Sequence, residues 1–278
     1  MTQKIFLELS AMRCSLSYEN HDAINKLYHN KTLSADNLVY SYTDYEKQLI
    51  DKEFSNIYNP PIFFSDAYMD AQVYLWTTDD IIHVIFRGTT SFKDILVNMD
   101  LSTITINDVH IHRGFYEQFM SIQDSLTREL FRLLDTNKFY TVLFQGHSLG
   151  GALSQIACVF YKERFSENIK IKCCTFGCPR TGDIKFSKLF EKSVDKNYRI
   201  TNNSDPVSMM PMHYIWYHTY NTNIMLQDNG LYKINTNDTP WYARPFTLCC
   251  NLHCCKKIEQ HYIKTYIDNL SKLENINV

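Results

Sequence analysis

The apolar residues of this chain alternate between the spacing of a strand and the spacing of a helix. Residues 71–76 and 81–86 are short apolar runs, and Asp79-Asp80 between them predicts a turn that joins two strands. An amphipathic helix is predicted further along, because apolar residues recur there at every third or fourth position: Phe115, Phe119, Ile122, Leu126, Leu130 and Leu133.

The same alternation continues through the second half of the chain. Strands are predicted at 139–145, 169–176 and 198–202, and helices at about 149–165 and at 183–192. Strands and hairpin turns are predicted over 215–234, and a terminal helix over 258–270. Strands that alternate with helices predict an α/β fold with a mostly parallel central sheet and helices on both faces.

Two helical stretches are predicted ahead of the loop at Asn59-Pro60-Pro61. In the first of them, Ile5, Leu9, Met12 and Leu16 recur at helical spacing, which predicts an amphipathic helix lying on the body of the protein. We find no repeat and no linker-like boundary, and 278 residues that are 45% apolar can bury one sizeable core. The sequence therefore predicts a single domain over 1–278 with an N-terminal helical segment.

Charge and length exclude several classes of protein. The 28 basic and 30 acidic residues nearly balance, without long runs of like charge, so a nucleic-acid-binding surface is not predicted. No apolar run is long enough for a transmembrane segment, and the first residues do not have the pattern of a signal peptide. Nine cysteines, an odd number, favour reduced thiols and an intracellular location, with peripheral membrane association still open.

Four of the cysteines, Cys249, Cys250, Cys254 and Cys255, are concentrated in one short segment. Their spacing matches no zinc pattern, because adjacent cysteines rarely bind the same ion. A cysteine-rich surface loop is the favoured interpretation, and metal binding and thiol acylation are the alternatives. No cofactor and no metal is predicted.

The strand predicted at 139–145 runs directly into a G-x-S-x-G turn that opens the next helix. Such a turn holds its serine on a strained bend, and glycines two positions before and after it are needed because side chains there would collide with the strand or the helix. Gly146 and Gly150 meet this requirement. Ser148 is therefore predicted to be a nucleophile.

A nucleophilic serine needs an imidazole to take its proton and a carboxylate to orient that imidazole. Asp205 is the predicted carboxylate, because it lies on a loop just after a predicted strand, where parallel sheets place their functional residues. Asp183 is assigned instead to a helix start and Asp195 to a surface loop.

Four histidines follow Asp205 in the chain. His213 and His218 lie so close to the acid in sequence that one short loop would have to bring both groups to the serine. His261 lies at the entrance of the last predicted helix, 56 residues after Asp205 (261 − 205 = 56), and is the predicted base. His253 remains the alternative.

Negative charge that develops on a substrate oxygen needs preset hydrogen-bond donors, the oxyanion hole. The backbone N–H of Leu149, directly after the nucleophile, is one predicted donor. The other is predicted in the loop after the strand at 81–86, where Gly88 permits close backbone approach and Thr89 offers an N–H and a hydroxyl.

Five segments in this order resemble the class 3 lipase family of α/β-hydrolases, which includes fungal triacylglycerol lipases and intracellular plant lipases. They are FRGT at 86–89, HRGF at 112–115, GHSLGGA at 146–152, FGCPRTG at 176–182 and NNSDPV at 202–207. The resemblance implies the α/β-hydrolase fold and a carboxylester hydrolase that cleaves acylglycerols through an acyl-serine intermediate. It also implies the nucleophile Ser148, the acid Asp205, the base His261, and oxyanion donors at Thr89 and Leu149.

The chain departs from the fungal members of that family in one position near the base. Those members have a tyrosine three positions after the catalytic histidine, where this chain has Lys264. Tyr266, five positions after His261, resembles the plant form instead.

A short apolar face lies between the oxyanion loop and the long helix, formed by Phe92, Ile95, Leu96 and Met99. In similar lipases this segment is an amphipathic lid that covers the site in water and opens at a lipid surface. Residues 92–100 are therefore expected to form either a lid or an ordinary packed helix.

Other functions remain open from the sequence. A phospholipid substrate, or an alcohol as acyl acceptor, would use the same three side chains. A lipid-binding protein of the same fold without turnover belongs to a different class, and such proteins usually lack one of the three groups. The last alternative is a structural turn that only mimics the nucleophile bend. The sequence does not predict an oligomeric state.

Overall fold

The computed structural model describes residues 2–30, 38–89, 101–136, 138–211, 223–227, 229–235 and 258–276. A sheet of eight strands runs through them in the order β1-β2-β3-β6-β7-β8-β9-β10. The pairs β3–β6, β6–β7, β7–β8 and β8–β9 are parallel, and the pairs β1–β2, β2–β3 and β9–β10 are antiparallel. The strands are β1 (Ile62–Asp66), β2 (Ala71–Thr78), β3 (Ile81–Phe86), β6 (Thr141–His147), β7 (Lys170–Phe176), β8 (Lys196–Asn202), β9 (Asn223–Leu226) and β10 (Tyr232–Asn235).

Helices cover both faces of this sheet. The first face carries α1 (Gln3–Leu16), α2 (His21–Asn30), α3 (Asp44–Ser55) and α7 (Ile263–Ser271), and the second carries α4 (Arg113–Leu134), α5 (Leu149–Lys162) and α6 (Ile184–Ser193). Alternate strand residues face alternate layers: Leu143 packs toward α1 and α7, whereas Val142 and Phe144 pack toward α4 and α5. Two short strands, β4 (Thr103–Ile106) and β5 (Val109–His112), form a separate hairpin.

The predicted α/β-hydrolase fold, with a mostly parallel sheet covered on both faces, is confirmed. The hairpin of β2 and β3 and the alternating elements from α4 to β8 lie where they were predicted, within a few residues. Within the predicted 215–234 region, β9 and β10 are strands and pair as a hairpin. The terminal helix begins later than predicted, because a 3₁₀ helix at Ile258–His261 precedes α7.

The prediction of two helical stretches ahead of the first strand was wrong, because the described residues contain three helices there. Only four residues separate α1 from α2, and Asn20 caps the second helix by accepting a hydrogen bond from the Ala23 N–H. The apolar spacing continues across this short break, so the sequence pattern does not reveal the boundary between the two helices.

The edge strand β1 and the β4–β5 hairpin were not predicted, because their residues are mostly half-buried and give a weak pattern.

The start of α5 packs directly against the backbone of the sheet. A Cβ at Gly150 would lie 2.1 Å from the Phe86 carbonyl oxygen on β3, and a Cβ at Gly146 would lie 2.1 Å from the Gly150 carbonyl group. Both distances are far below van der Waals contact. The two glycines of the G-x-S-x-G segment are therefore required by packing as well as by the bend itself.

A buried ion pair joins the N-terminal helices to each other and to the sheet. The Arg13 guanidinium on α1 donates two hydrogen bonds of 2.7 Å to the Glu53 carboxylate on α3. The Trp76 indole on β2 donates to the same carboxylate at 2.8 Å, and Arg13 also donates to Gln145 on β6 at 3.4 Å. Because both charges are almost fully excluded from water, each depends on the other for solvation.

We expect Gly150→Ala to lower the free energy of unfolding by about 3 kcal/mol, because the new methyl group overlaps the Phe86 carbonyl. Gly114→Ala is the matched control. The nearest atom to its new Cβ is 3.4 Å away in the His112 ring, and alanine favours the helix. Urea denaturation of both variants checks this, and equal stability of the two would contradict the packing of α5 on β3.

We expect Arg13→Met to lower the free energy of unfolding by about 3–5 kcal/mol, because it leaves the Glu53 carboxylate buried without its counter-ion. In the exposed pair of Glu129 and Arg132 on α4, Glu129→Gln should cost less than about 1 kcal/mol. Chemical denaturation measures both losses. Similar losses for the two variants would show that the buried pair does not anchor α1 and α3.

Candidate active site

Ser148 lies on the bend between β6 and α5, at the carboxyl end of the parallel strands. Its φ is +57°, in the left-handed region that non-glycine residues rarely adopt. Its backbone N–H donates to the Phe176 carbonyl oxygen on β7 at 2.8 Å, and its carbonyl accepts from the Gly151 N–H at 2.9 Å. The surrounding backbone thus fixes the strained conformation, and the side chain is fully buried.

His261 reaches Ser148 from the far end of the chain. It is the last residue of the 3₁₀ helix ahead of α7, and its Nε2 lies 2.8 Å from the Ser148 Oγ. The imidazole is fully buried. This distance is within the range for proton transfer between a nucleophile and its general base.

Asp205 lies on the other side of the imidazole, on the loop after β8. Its two carboxylate oxygens are 3.0 and 2.9 Å from the His261 Nδ1. Since an ionised carboxylate only accepts, Nδ1 carries the proton and Nε2 is left to accept the proton of the Ser148 hydroxyl. The backbone N–H of Val207 donates to Asp205 Oδ1 at 2.8 Å and helps to fix the carboxylate.

Tyr266 on α7 holds the other oxygen of this carboxylate. Its hydroxyl donates to Asp205 Oδ2 at 2.6 Å and accepts from the Asn202 N–H at 3.0 Å. Burial raises the pKa of Tyr266 well above its usual value, and the negative charge of Asp205 raises it further, so the phenol keeps its proton. The sequence placed Tyr266 near the base but did not indicate its contact with the acid.

Lys264 turns away from the site. Its Nζ is 2.9 Å from a Glu46 carboxylate oxygen and 3.6 Å from the centre of the Tyr42 ring. Residues two apart on a helix are separated by about 200° around its axis, so Lys264 and Tyr266 point in different directions. The departure from the fungal pattern at position 264 therefore leaves the contacts of His261 and Asp205 intact.

Gly177, directly after β7, makes room for the acid and the base. Its φ is +58°, and a Cβ there would lie 2.8 Å from Asp205 Oδ2 and 2.9 Å from the His261 Nδ1. In the sequence this glycine stands out only as part of the FGCPRTG segment at 176–182. Its position directly after a predicted strand could have indicated this role, because glycine there often allows other groups to approach the backbone closely.

The predicted oxyanion loop follows β3 and lies beside the nucleophile bend. A Cβ at Gly88 would be 2.6 Å from the His147 carbonyl oxygen and 3.3 Å from the Ser148 Cβ. Thr89 follows Gly88 in this loop, and Leu149 is the first residue of α5. The structure thus brings both segments next to Ser148, and their roles as donors stay predictions.

The remaining candidates lie elsewhere. Asp183 caps α6 by accepting the Phe186 N–H at 2.8 Å, and the exposed Asp195 accepts the Ile171 N–H at 2.8 Å. Several predicted features lie outside the described residues: His213, His218, His253, the lid at 92–100 and the cysteine cluster at 249–255.

The described part of the chain contains no group of three or more side chains that could bind a metal ion. Its helices include none with the length and apolarity to cross a membrane.

Comparison with known proteins finds similarity to lipases. Residues 83–215 match the model of the family described as Lipase (class 3). A lipase of Caenorhabditis elegans is 29% identical over 139 residues, which cover 47% of this chain and 38% of that protein. A secreted mono- and diacylglycerol lipase of Fusarium solani is 25% identical over 133 residues, covering 47% of this chain and 39% of that protein. The matches thus span about two fifths of the length of these relatives.

Solved structures show the same fold over most of the chain. Lipase II from Rhizopus niveus superposes with a TM-score of 0.68 and 18% identity, covering 94% of each chain. A triacylglycerol lipase from Penicillium expansum gives a TM-score of 0.64 and 20% identity, covering 82% of each chain. The chain thus has the α/β-hydrolase fold and is similar to the class 3 lipase family over residues 83–215.

Proposed function

We propose that this protein is a serine carboxylester hydrolase that cleaves acylglycerol ester bonds through an acyl-serine intermediate. The observation that carries this proposal is the continuous hydrogen-bonded chain from Ser148 through His261 to Asp205, with contacts of 2.8 and 2.9 Å. All three side chains are buried, so the charges that form during the reaction would interact in a site of low dielectric.

In the first half of the reaction, the Ser148 Oγ attacks the ester carbonyl carbon and its proton passes to the His261 Nε2. The Asp205 carboxylate stabilises the resulting imidazolium through Nδ1. The backbone N–H groups of Leu149 and Thr89 would stabilise the oxyanion of the tetrahedral intermediate. The bond to the leaving alcohol then breaks, and the alcohol oxygen takes the proton from Nε2.

In the second half, water attacks the acyl-serine. His261 accepts a proton from the water as it attacks, and returns it to the Ser148 Oγ when the carboxylic acid leaves. Transfer to an alcohol instead of water would use the same acyl-serine and the same base. Acyl transfer is therefore a variant of this mechanism and needs no additional catalytic group.

Relatives support an acylglycerol as the substrate. Besides the mono- and diacylglycerol lipase of Fusarium solani, they include a secreted alkaline triacylglycerol lipase of Penicillium cyclopium. A phospholipid is the second candidate, since a chloroplastic phospholipase A(1) of Arabidopsis thaliana is 34% identical over 93 residues, 33% of this chain. A lipid-binding protein without turnover is disfavoured by the intact contacts between the three catalytic side chains.

We also propose an intracellular location and transient contact with a lipid surface. The location is supported by five free, buried thiols in the described part of the chain: Cys14, Cys158, Cys173, Cys174 and Cys178. Burial raises the pKa of the Cys178 thiol to about 12, which keeps it protonated and unreactive. Contact with lipid is supported by the insolubility of long-chain acylglycerols and by the apolar pattern of residues 92–100.

We expect a fluorophosphonate probe to label the wild-type protein and to leave Ser148→Ala unlabelled, because the probe reacts with an activated serine hydroxyl. Hydrolysis of a triacylglycerol emulsion should fall to background in the same variant. Ser154→Ala is the control, since its hydroxyl only donates to the Gly150 carbonyl within α5.

The same assay run with triacyl, diacyl, monoacyl and phospholipid substrates of several chain lengths identifies the substrate class. Faster turnover of phospholipids than of all acylglycerols would replace the acylglycerol assignment. Labelling or hydrolysis that persists in Ser148→Ala would remove the whole proposal.

We expect Tyr266→Phe to lower kcat/KM about ten- to a hundredfold on a soluble ester, because a hydrogen bond to a charged group contributes about 1.5–3 kcal/mol. Lys264→Met lies on the same helix but is turned away from Asp205, so it removes no hydrogen bond to the acid. Its kcat/KM should therefore stay within about twofold of the wild type. Rates are measured per active site, counted by titration with the phosphonate. Equal rates for the two variants would show that Tyr266 does not support the acid.

A further inference from the structure

We propose that Tyr18 is a positioning residue of the active site. Through its hydroxyl and the side chain of His147, Tyr18 connects the oxyanion loop, the nucleophile bend and the segment of the base. This inference rests on the proposed hydrolase function. It adds a residue from the N-terminal region, which lies outside the segment 83–215 that matches the family.

Tyr18 lies just after α1, and its side chain points into the protein. The residue is only 6% exposed, and its ring packs edge-on against the His147 ring with 5.9 Å between the ring centres. The Tyr18 hydroxyl is 2.8 Å from the His147 Nδ1. His147 immediately precedes the nucleophile, so this contact ties the N-terminal region to the bend that carries Ser148.

His147 continues the connection to the base. Its Nε2 is 2.6 Å from the carbonyl oxygen of His261, which is the backbone of the residue whose imidazole contacts Ser148. A carbonyl oxygen only accepts, so Nε2 must carry the proton. Burial lowers the pKa of His147 well below its usual value, and the nearby His261 lowers it further. His147 is therefore neutral, and its Nδ1 is a pure acceptor for the Tyr18 hydroxyl.

Gly88 supplies the third connection. Its backbone packs directly against the Tyr18 hydroxyl, because a Cβ on Gly88 would lie 2.3 Å from that oxygen. Because the His147 Nδ1 only accepts, the Tyr18 hydroxyl donates its proton to it. Both hydrogen bonds in the series from Tyr18 through His147 to His261 thus have a single possible direction.

This network joins segments that are distant along the chain. Tyr18 and His147 are 129 residues apart, and His147 and His261 are 114 apart. The contacts of Tyr18 and His147 in this network are to Gly88 and to the His261 backbone, so both act through other residues. They fix the position of the base relative to Ser148 and of the loop that leads to Thr89. Misplacement of reacting groups by about 1 Å can cost on the order of a hundredfold in rate.

The main test is Tyr18→Phe, which removes the hydroxyl and keeps the ring. We expect kcat for p-nitrophenyl butyrate, per titrated active site, to fall about tenfold or more, with KM changed less than about twofold. Tyr161→Phe is the matched control. Tyr161 is buried as well, and its hydroxyl contacts Thr127 at 2.8 Å in the core on the other face of the sheet. Its kcat should match the wild type even if its thermal midpoint falls as much as that of Tyr18→Phe.

A double-mutant cycle with His147→Gln tests whether the two residues act as one unit. Tyr18→Phe combined with His147→Gln should then cost little more in kcat than the worse of the two single variants. Either of two results would overturn the proposal. One is a kcat for Tyr18→Phe within twofold of that of Tyr161→Phe. The other is a fold-loss in kcat of the double variant equal to the product of the fold-losses of the two single variants.

A readout without turnover separates this inference from the proposed function. In protein labelled with ¹⁵N-histidine, His147 should give the signals of a neutral ring with its proton on Nε2. Tyr18→Phe should shift the signals of both His147 and His261, whereas Tyr161→Phe should shift neither. If the wild type shows neither hydrolysis nor phosphonate labelling while these shifts occur, the hydrolase proposal fails and the network stands. If His261 does not respond to Tyr18→Phe, the network is refuted whatever the activity.

Discussion

The left-handed backbone of Ser148 is the constraint on which the rest of the structure depends. That conformation is costly for a residue with a side chain, and it persists only because its surroundings leave no alternative. The Ser148 N–H is bonded to Phe176 on the next strand, and the absence of a side chain at Gly150 lets α5 start against the backbone of β3. The parallel sheet is thus a scaffold that keeps one hydroxyl on a strained bend, and the other catalytic groups are assembled around it.

The sequence contains most of the information about this scaffold. The alternation of apolar runs with three-to-four spacing predicted the central strands and α4 to α6, because these elements are buried on the sides that their patterns indicate. Ser148, Asp205 and His261 could be nominated because each lies at the end of a predicted element, where a parallel sheet places its reactive side chains. Short, half-buried elements such as β1 and the β4–β5 hairpin were missed, since their stability comes from neighbours that the local pattern does not reveal.

Residues that support the catalytic groups were harder to find for a related reason. Tyr18 resembles an ordinary core position in the sequence, and Tyr266 was noted only for its spacing from His261, because both rings are buried in the same apolar layer as their neighbours. Their hydroxyl contacts join residues 129 and 61 positions apart, and single-sequence periodicity carries no information on such pairs. The same holds for the Arg13–Glu53 ion pair, whose partners belong to two helices that meet only in the folded protein.

The order of Ser148 and His261 along the chain has a consequence for biosynthesis. Ser148 leaves the ribosome 113 residues before its base, an interval of about ten seconds at ordinary rates of translation. During that interval the imidazole that activates the hydroxyl is not yet present. A nascent chain would therefore stay unreactive toward esters until His261 has been synthesised.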